Sequence, residues 1–197
     1  EIYQDLATDY SAIETPTWAL LLAQSVRIAG FVPSILDVNA ERLSTKTAVD
    51  RVRELQPRLI CMVVYGQNPN SGTVNMAGAV ELAEAVKKKR MEMPISIVGS
   101  HASALPLEVL NKESAIDIVL CNEGVYSLKD LLECGLKKNG NLSSVKGIGY
   151  REQGKSVLTE PQKVVPQECM DMHMPGYAWD LLPYDRKPLD LYRSHFW

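Results

Sequence analysis

Gly99, Ser100, His101, Ala102 and Ser103 follow directly on the β-branched run Ile95-Ser-Ile-Val98. A strand that opens into small residues at its carboxyl end is where open α/β sheets bind ligands. Glycine and serine set no bulky side chain between a ligand and the backbone. Gly66-Gln-Asn-Pro-Asn-Ser-Gly72 and Asn122-Glu-Gly124 follow strand-like runs in the same way, and the segment up to Thr15 precedes the first helix signal. Gln67, Asn68, Asn70, Ser71, Ser100, Ser103 and Asn122 are neutral and polar. Such side chains suit a large ligand rich in amides. Turn chemistry alone accounts for glycine and asparagine at any one loop; three such loops on one sheet edge point to a binding crevice.

Several other chemistries are excluded. A phosphate-receiver domain needs an aspartate after its third strand, where this chain has Val64-Tyr65-Gly66. Neither Gly-x-x-x-x-Gly-Lys-Ser/Thr nor Gly-x-Gly-x-x-Gly occurs, so the phosphate-cradling turns of nucleotide sites are missing. No nucleophile elbow and no Ser/His/Asp or Cys/His set is identifiable, so no catalytic residue is assigned. Cys61, Cys121, Cys134 and Cys169 lack zinc or iron–sulfur spacing. Cys61 and Cys121 lie in apolar runs, as small hydrophobes do, and the four together point to a reducing, cytoplasmic compartment.

The elements that must position these loops alternate along the chain. Trp18, Leu21, Leu22, Ser25, Val26 and Ala29 form a helical stripe over 16–29, with Pro16 at its start and Gly30 at its stop. Ser34–Val38 reads as a strand, 43–55 as a helix, Leu59–Tyr65 as a central strand apolar on both faces, and Val74–Val86 as a helix. Then come the strand Ile95–Val98, a helix near 105–112, the strand Asp117–Cys121, and a helix from Val125 to Leu132. Gly147–Arg151 and Ser156–Thr159 flank a turn and read as a β-hairpin. From Pro161 the sequence is irregular and aromatic, as a linker that packs on something else.

This order predicts an α/β, Rossmann-like parallel sheet with helices on both faces. A flavodoxin-like strand order requires a first strand beside Ser34–Val38, so the natural protein is expected to extend upstream of Glu1 and beyond Trp197. The expected organisation is a binding domain over 1–146, a hairpin appendage over 147–160, and a linker over 161–197.

At 197 residues, with 46% apolar and 23% charged residues, the chain has the composition of a soluble globular domain. A net charge of −3 implies no nucleic-acid partner. The basic run Lys87–Arg90 reads as the last turn of a helix. No apolar run is long enough to span a membrane, and the N-terminus has no signal-peptide pattern.

Pro16-Thr-Trp-Ala-Leu-Leu-Leu-Ala, Val64-Tyr-Gly-Gln-Asn-Pro, Val98-Gly-Ser-His-Ala-Ser-Ala-Leu-Pro and Asp117-Ile-Val-Leu-Cys-Asn-Glu-Gly-Val-Tyr-Ser-Leu stand in a characteristic order, followed by Ala178-Trp-Asp-Leu-Leu-Pro and Tyr192-Arg-Ser-His-Phe-Trp. Together they resemble the N-terminal cobalamin-binding domain of the cobalamin-dependent radical S-adenosylmethionine enzymes. The resemblance covers nearly the whole chain. It implies a corrin lying over the carboxyl-end edge, contacted by Thr15, by Tyr65, Gly66, Gln67, Asn68 and Ser71, by Gly99, Ser100, His101, Ala102 and Ser103, and by Cys121, Asn122, Glu123, Gly124 and Tyr126. It also implies a following radical domain with a Cys-x-x-x-Cys-x-x-Cys motif, a [4Fe-4S] cluster and S-adenosylmethionine. That motif is absent from these residues. The expected full-length protein is a methyltransferase with methylcobalamin as methyl carrier, acting on a small molecule or a peptide. The alternatives are a non-catalytic corrinoid carrier or sensor, and a flavodoxin-like domain with another cofactor.

Asp171-Met-His-Met-Pro-Gly176 fits the string Asp-x-His-x-x-Gly, which in mutases and methionine synthase supplies the histidine beneath cobalt. There the string follows the first strand; here it lies in the tail, so the reading of His173 is a linker histidine and the cobalt ligand is left open. His101 is read as hydrogen-bonding the corrin periphery or nucleotide tail.

Overall fold

The computed structural model describes residues 13–65, 69–136, 140–184 and 192. Three short strands, β1 (Ile60–Val64), β2 (Ile95–Gly99) and β3 (Ile118–Leu120), pair in parallel in consecutive order. Because side chains alternate along a strand, each strand feeds two cores. Met62, Val64, Ile95, Ile97 and Val119 point into one core, and Val98, Ile118 and Leu120 into the other. Nearly continuous β-branched runs are therefore required, since neither face of the centre meets water. The polar exception is Ser96, fully buried, whose hydroxyl donates to the Ile60 carbonyl at 3.3 Å.

Helices cover both faces. On the first lie α2 (Thr45–Leu55), α3 (Pro69–Lys88), α4 (Ser100–Ala104) and α5 (Pro106–Lys112), through Val49, Met76, Ala83, Val86, Ala102, Val109 and Leu110. On the second lie α1 (Thr17–Ile28) and α6 (Val125–Asp130), through Leu22, Val26, Val125 and Leu128, with a π turn, Leu131–Gly135, after α6. Ser44 caps α2 by accepting the Thr47 N–H at 3.2 Å. Lys87 and Lys88 occupy the last turn of α3 as expected, and Lys87 pairs with Asp117 at 2.7 Å. The same Asp117 carboxylate accepts the Ile95 N–H at 2.7 Å, fixing the edge of the sheet where the parallel strands begin.

The hairpin is a further part of the same sheet. β4 (Ile148–Glu152) pairs antiparallel with β3, and β5 (Lys155–Leu158) with β4, so the sheet is mixed, in the order β1-β2-β3-β4-β5. Gln153 and Gly154, at φ 50° and 79°, make the two-residue turn, whose left-handed residues match the twist of the flanking strands.

Two expectations are corrected. Ser34–Val38, expected as a strand, forms none: 34–37 run without regular structure into a turn at Val38, and β1 has no ladder partner on its outer side among the described residues. An isolated strand cannot satisfy its backbone groups. Most of Gly99–Ser103, expected as loop, lies in the helical turn α4, which buries Ala102 completely. Pro106 then opens α5 from the position where its missing N–H costs nothing.

The tail is irregular, as expected, but it folds back over the second face. The Gly147 N–H donates to Glu160 at 2.7 Å, and Val165 and Leu182 are buried. The short helix α7 (Met170–His173) leads to Ala178, whose N–H donates to Leu20 of α1 at 3.3 Å, and Asp180 pairs with Arg27 of α1 at 2.9 Å.

Candidate functional site

The carboxyl ends of the three parallel strands deliver Tyr65, Ser100 and Cys121 to one edge. Contacts there converge on Asn122. Its φ of 55° turns the chain sharply, and its carbonyl accepts the Ser103 hydroxyl at 3.2 Å and the Tyr65 hydroxyl at 3.4 Å. Three segments read separately from the sequence thus meet at one oxygen atom. Burial pushes the Tyr65 phenol up to about 12, so it remains a neutral donor across the physiological range.

Glu123 ties in two more segments. Its carbonyl accepts the indole N–H of Trp18 at 3.0 Å, and its carboxylate accepts the N–H of Val165 in the tail. Trp18 and Tyr65 stand with ring centroids 5.7 Å apart, giving the edge an aromatic flank. Glu123 was read as a cofactor contact or as an acceptor of backbone N–H groups that shapes its loop; the Val165 bond is of the second kind. Gly124, at φ 76°, is held where a side chain would crowd Val98 at 3.0 Å.

Two glycines at this edge, Gly99 and Gly72, admit other parts of the chain. A Cβ on Gly99 would lie 2.0 Å from the Val64 carbonyl oxygen, and one on Gly72 would lie 2.4 Å from Ser100 Oγ. Both permit the close approach of α3, β1 and the β2–α4 junction. Ala102 belongs to the core beneath the edge, so its side chain serves packing. His101 is half-buried, and its Nδ1 shares a hydrogen bond of 3.1 Å with Thr73 Oγ1 of α3. Cys121 is half-buried; its N–H donates to Gly147 at 2.9 Å, and burial pushes its thiol up. Tyr126 meets the His173 ring edge-on at 4.9 Å, with the Lys163 ammonium 5.6 Å from its own ring centroid. His173 therefore lies beside the β3–α6 loop. Thr15 stands just ahead of α1, its carbonyl accepting the Thr17 N–H at 2.7 Å. Gly66, Gln67, Asn68 and the side chain of Ser71 lie outside the described residues.

Trp18, Thr73 and Asn75 join the site without having been expected there. Asn75 Nδ2 donates to the Tyr65 carbonyl at 3.1 Å. Within its own helix, Trp18 reads as one more apolar position, so its indole N–H carries no sequence signal. The assembled donor set comprises hydroxyls, amides and an imidazole flanked by aromatic rings. That chemistry fits the many amide arms and apolar rim of a corrin.

The model of the B12 binding domain matches residues 3–132. The chain belongs to the B12-binding domain family. Cobalamin is the cofactor of that family, and the neutral polar edge is a suitable surface for it. Two solved structures share this B12-binding fold. Both are of TsrM, a radical S-adenosylmethionine methyltransferase from Kitasatospora setae, one with tryptophan substrate and the S-adenosylmethionine analogue aza-SAM bound and one with cobalamin and a [4Fe-4S] cluster bound. Each superposes with a TM-score of 0.62, at 17% and 18% identity, over 74% and 76% of this chain. The matched region is 27% of the TsrM chain, so these residues span about a quarter of that enzyme. No curated protein matches the sequence. Among the described residues, no helix is long and apolar enough to cross a membrane.

Proposed function

We propose that this B12-binding domain is the cofactor-holding unit of a cobalamin-dependent radical S-adenosylmethionine methyltransferase. When bound, cobalamin supplies a cobalt centre able to carry a methyl group. The residues described here hold and orient that cofactor. The iron–sulfur cluster, S-adenosylmethionine and the small-molecule or peptide substrate belong to a radical domain of the same protein. The free thiols of Cys61, Cys121 and Cys169 support a reducing, cytoplasmic setting.

One observation carries this reading: Tyr65, Ser103 and Asn122, from three separate strand ends, are locked into one neutral, hydrogen-bonding edge. Ser103 and Tyr65 fix the Asn122 carbonyl, so the side chains of the β3–α6 loop are set before a ligand arrives. The Trp18 and Tyr65 rings provide an apolar flank on which a macrocycle rests while polar groups take its amides. TsrM, with the same fold and both cobalamin and a [4Fe-4S] cluster bound, supports the pairing of such a domain with radical chemistry.

The test is reconstitution of the full-length protein with hydroxocobalamin followed by gel filtration. Corrinoid absorbance travelling with the protein supports the reading; protein eluting free of it overturns the cofactor assignment. Methyl transfer from labelled S-adenosylmethionine then separates a methyltransferase from a corrinoid carrier or sensor, which would bind the cofactor and transfer nothing.

A further inference from the structure

The junction between β2 and α4 is built to press against α3. Gly99 brings the end of β2 against the Val64 carbonyl, where a Cβ would meet backbone, and Gly72 brings α3 against the Ser100 side chain, which a Cβ would have to displace. One residue further along each helix, Thr73 and His101 meet side chain to side chain, Oγ1 to Nδ1, at 3.1 Å. Two independent features of the backbone thus aim one hydroxyl at one ring nitrogen. His101 is half-buried at the carboxyl edge, and no hydrogen bond to its Nε2 occurs among the described residues. Its near charged neighbour, Glu108, is paired with Lys112 and does not compete for the ring.

We propose that Thr73 is a positioning residue, which holds the His101 ring by Nδ1 so that Nε2 is the atom offered to the periphery of bound cobalamin. This rests on the cofactor reading above. An imidazole pinned at one nitrogen has its ring plane set, and the opposite nitrogen then meets a ligand without loss of rotamer freedom. A free histidine would pay that ordering on binding.

The test measures the affinity of the full-length protein for hydroxocobalamin by absorbance titration. Thr73→Val deletes the hydroxyl at nearly constant shape, and because Thr73 is exposed the exchange leaves the core intact. It should weaken binding about fivefold to tenfold, the range of one hydrogen bond. Thr73→Ser should restore the wild-type value, and Thr73→Ala provides a second deletion should the valine variant fold poorly. Glutamine places its amide near Nε2 and asparagine near Nδ1, so His101→Gln should bind more tightly than His101→Asn. Thr73→Val should then cost less when added to His101→Gln than it does in the wild type. Wild-type affinity in Thr73→Val and Thr73→Ala, or asparagine outperforming glutamine, overturns the proposal while the cofactor reading stands. A wild-type protein that retains no cobalamin overturns both.

Discussion

Trp18 donates its indole N–H to the carbonyl of Glu123 across 105 positions of sequence, at 3.0 Å. The same Glu123 accepts the Val165 N–H through its carboxylate. One residue of the β3–α6 loop thus holds the first helix on one side and the tail on the other. A hydrogen bond to a carboxylate in a half-buried site is among the stronger kind. The carboxyl edge of the sheet and the tail are therefore mechanically joined.

Glu123→Ala should destabilise the fold by about 1–3 kcal/mol, because the Val165 N–H loses its acceptor in a buried setting. Hydrogen exchange should accelerate over 161–182 and stay unchanged in β1 and β2. Equal protection in both variants would mean that the tail is held by its apolar contacts alone.

The two close-packed glycines should respond differently to alanine. At Gly99 the added methyl meets backbone, the Val64 oxygen at 2.0 Å and carbon at 2.9 Å, and neither can turn aside. The expected loss is about 3 kcal/mol, at the upper end of overpacking costs. At Gly72 it meets Ser100 Oγ, the end of a side chain that can rotate, and alanine's better helix propensity offsets part of the strain. A loss of about 1 kcal/mol is expected there. Urea unfolding of the two variants decides the order.

Asp37 gives stability a pH dependence. Its carboxylate accepts the Ala40 N–H at 2.9 Å and the Tyr192 hydroxyl at 3.1 Å, yet burial raises its pKa above the ordinary carboxylate value, with Glu41 adding to the rise. The folded state therefore holds the Asp37 proton more tightly than the unfolded chain does. That contribution is fully present below the unfolded pKa and is lost as pH rises through the folded one. Asp37→Asn keeps an acceptor for Ala40 and removes the titration. As pH rises from the ordinary carboxylate value through the raised folded one, the variant's stability should rise relative to wild type and then level off. Parallel curves would show that Asp37 titrates normally.

The Arg27–Asp180 pair should matter little to stability despite its two short bonds of 3.0 and 2.9 Å. Asp180 is exposed, and water screens such pairs. Asp180→Asn should leave the unfolding midpoint within experimental scatter, whereas Leu182→Ala, which opens a buried site beside it, should lower the midpoint clearly.

The amino-acid sequence by itself determined the alternation of strands and helices, the hairpin, and the edge on which the strand-end loops gather. These follow from local periodicity: β-branched runs for strands buried on both faces, three- and four-residue stripes for helices, and Gln153-Gly154 for the tight turn. Only the tertiary structure decided how Gly99, Gly72, Glu123 and the tail are used. Gly99 read as a place where a ligand could approach and Gly72 as the end of a turn-rich loop; the space that a Cβ would take beside them is filled by Val64 and Ser100. The backbone N–H that the Glu123 carboxylate accepts lies 42 residues downstream, at Val165. Ser34–Val38 had a strand's composition and formed none, because pairing requires a neighbouring strand that composition does not supply. In each case the deciding atom lies far away in sequence, where no local pattern records it.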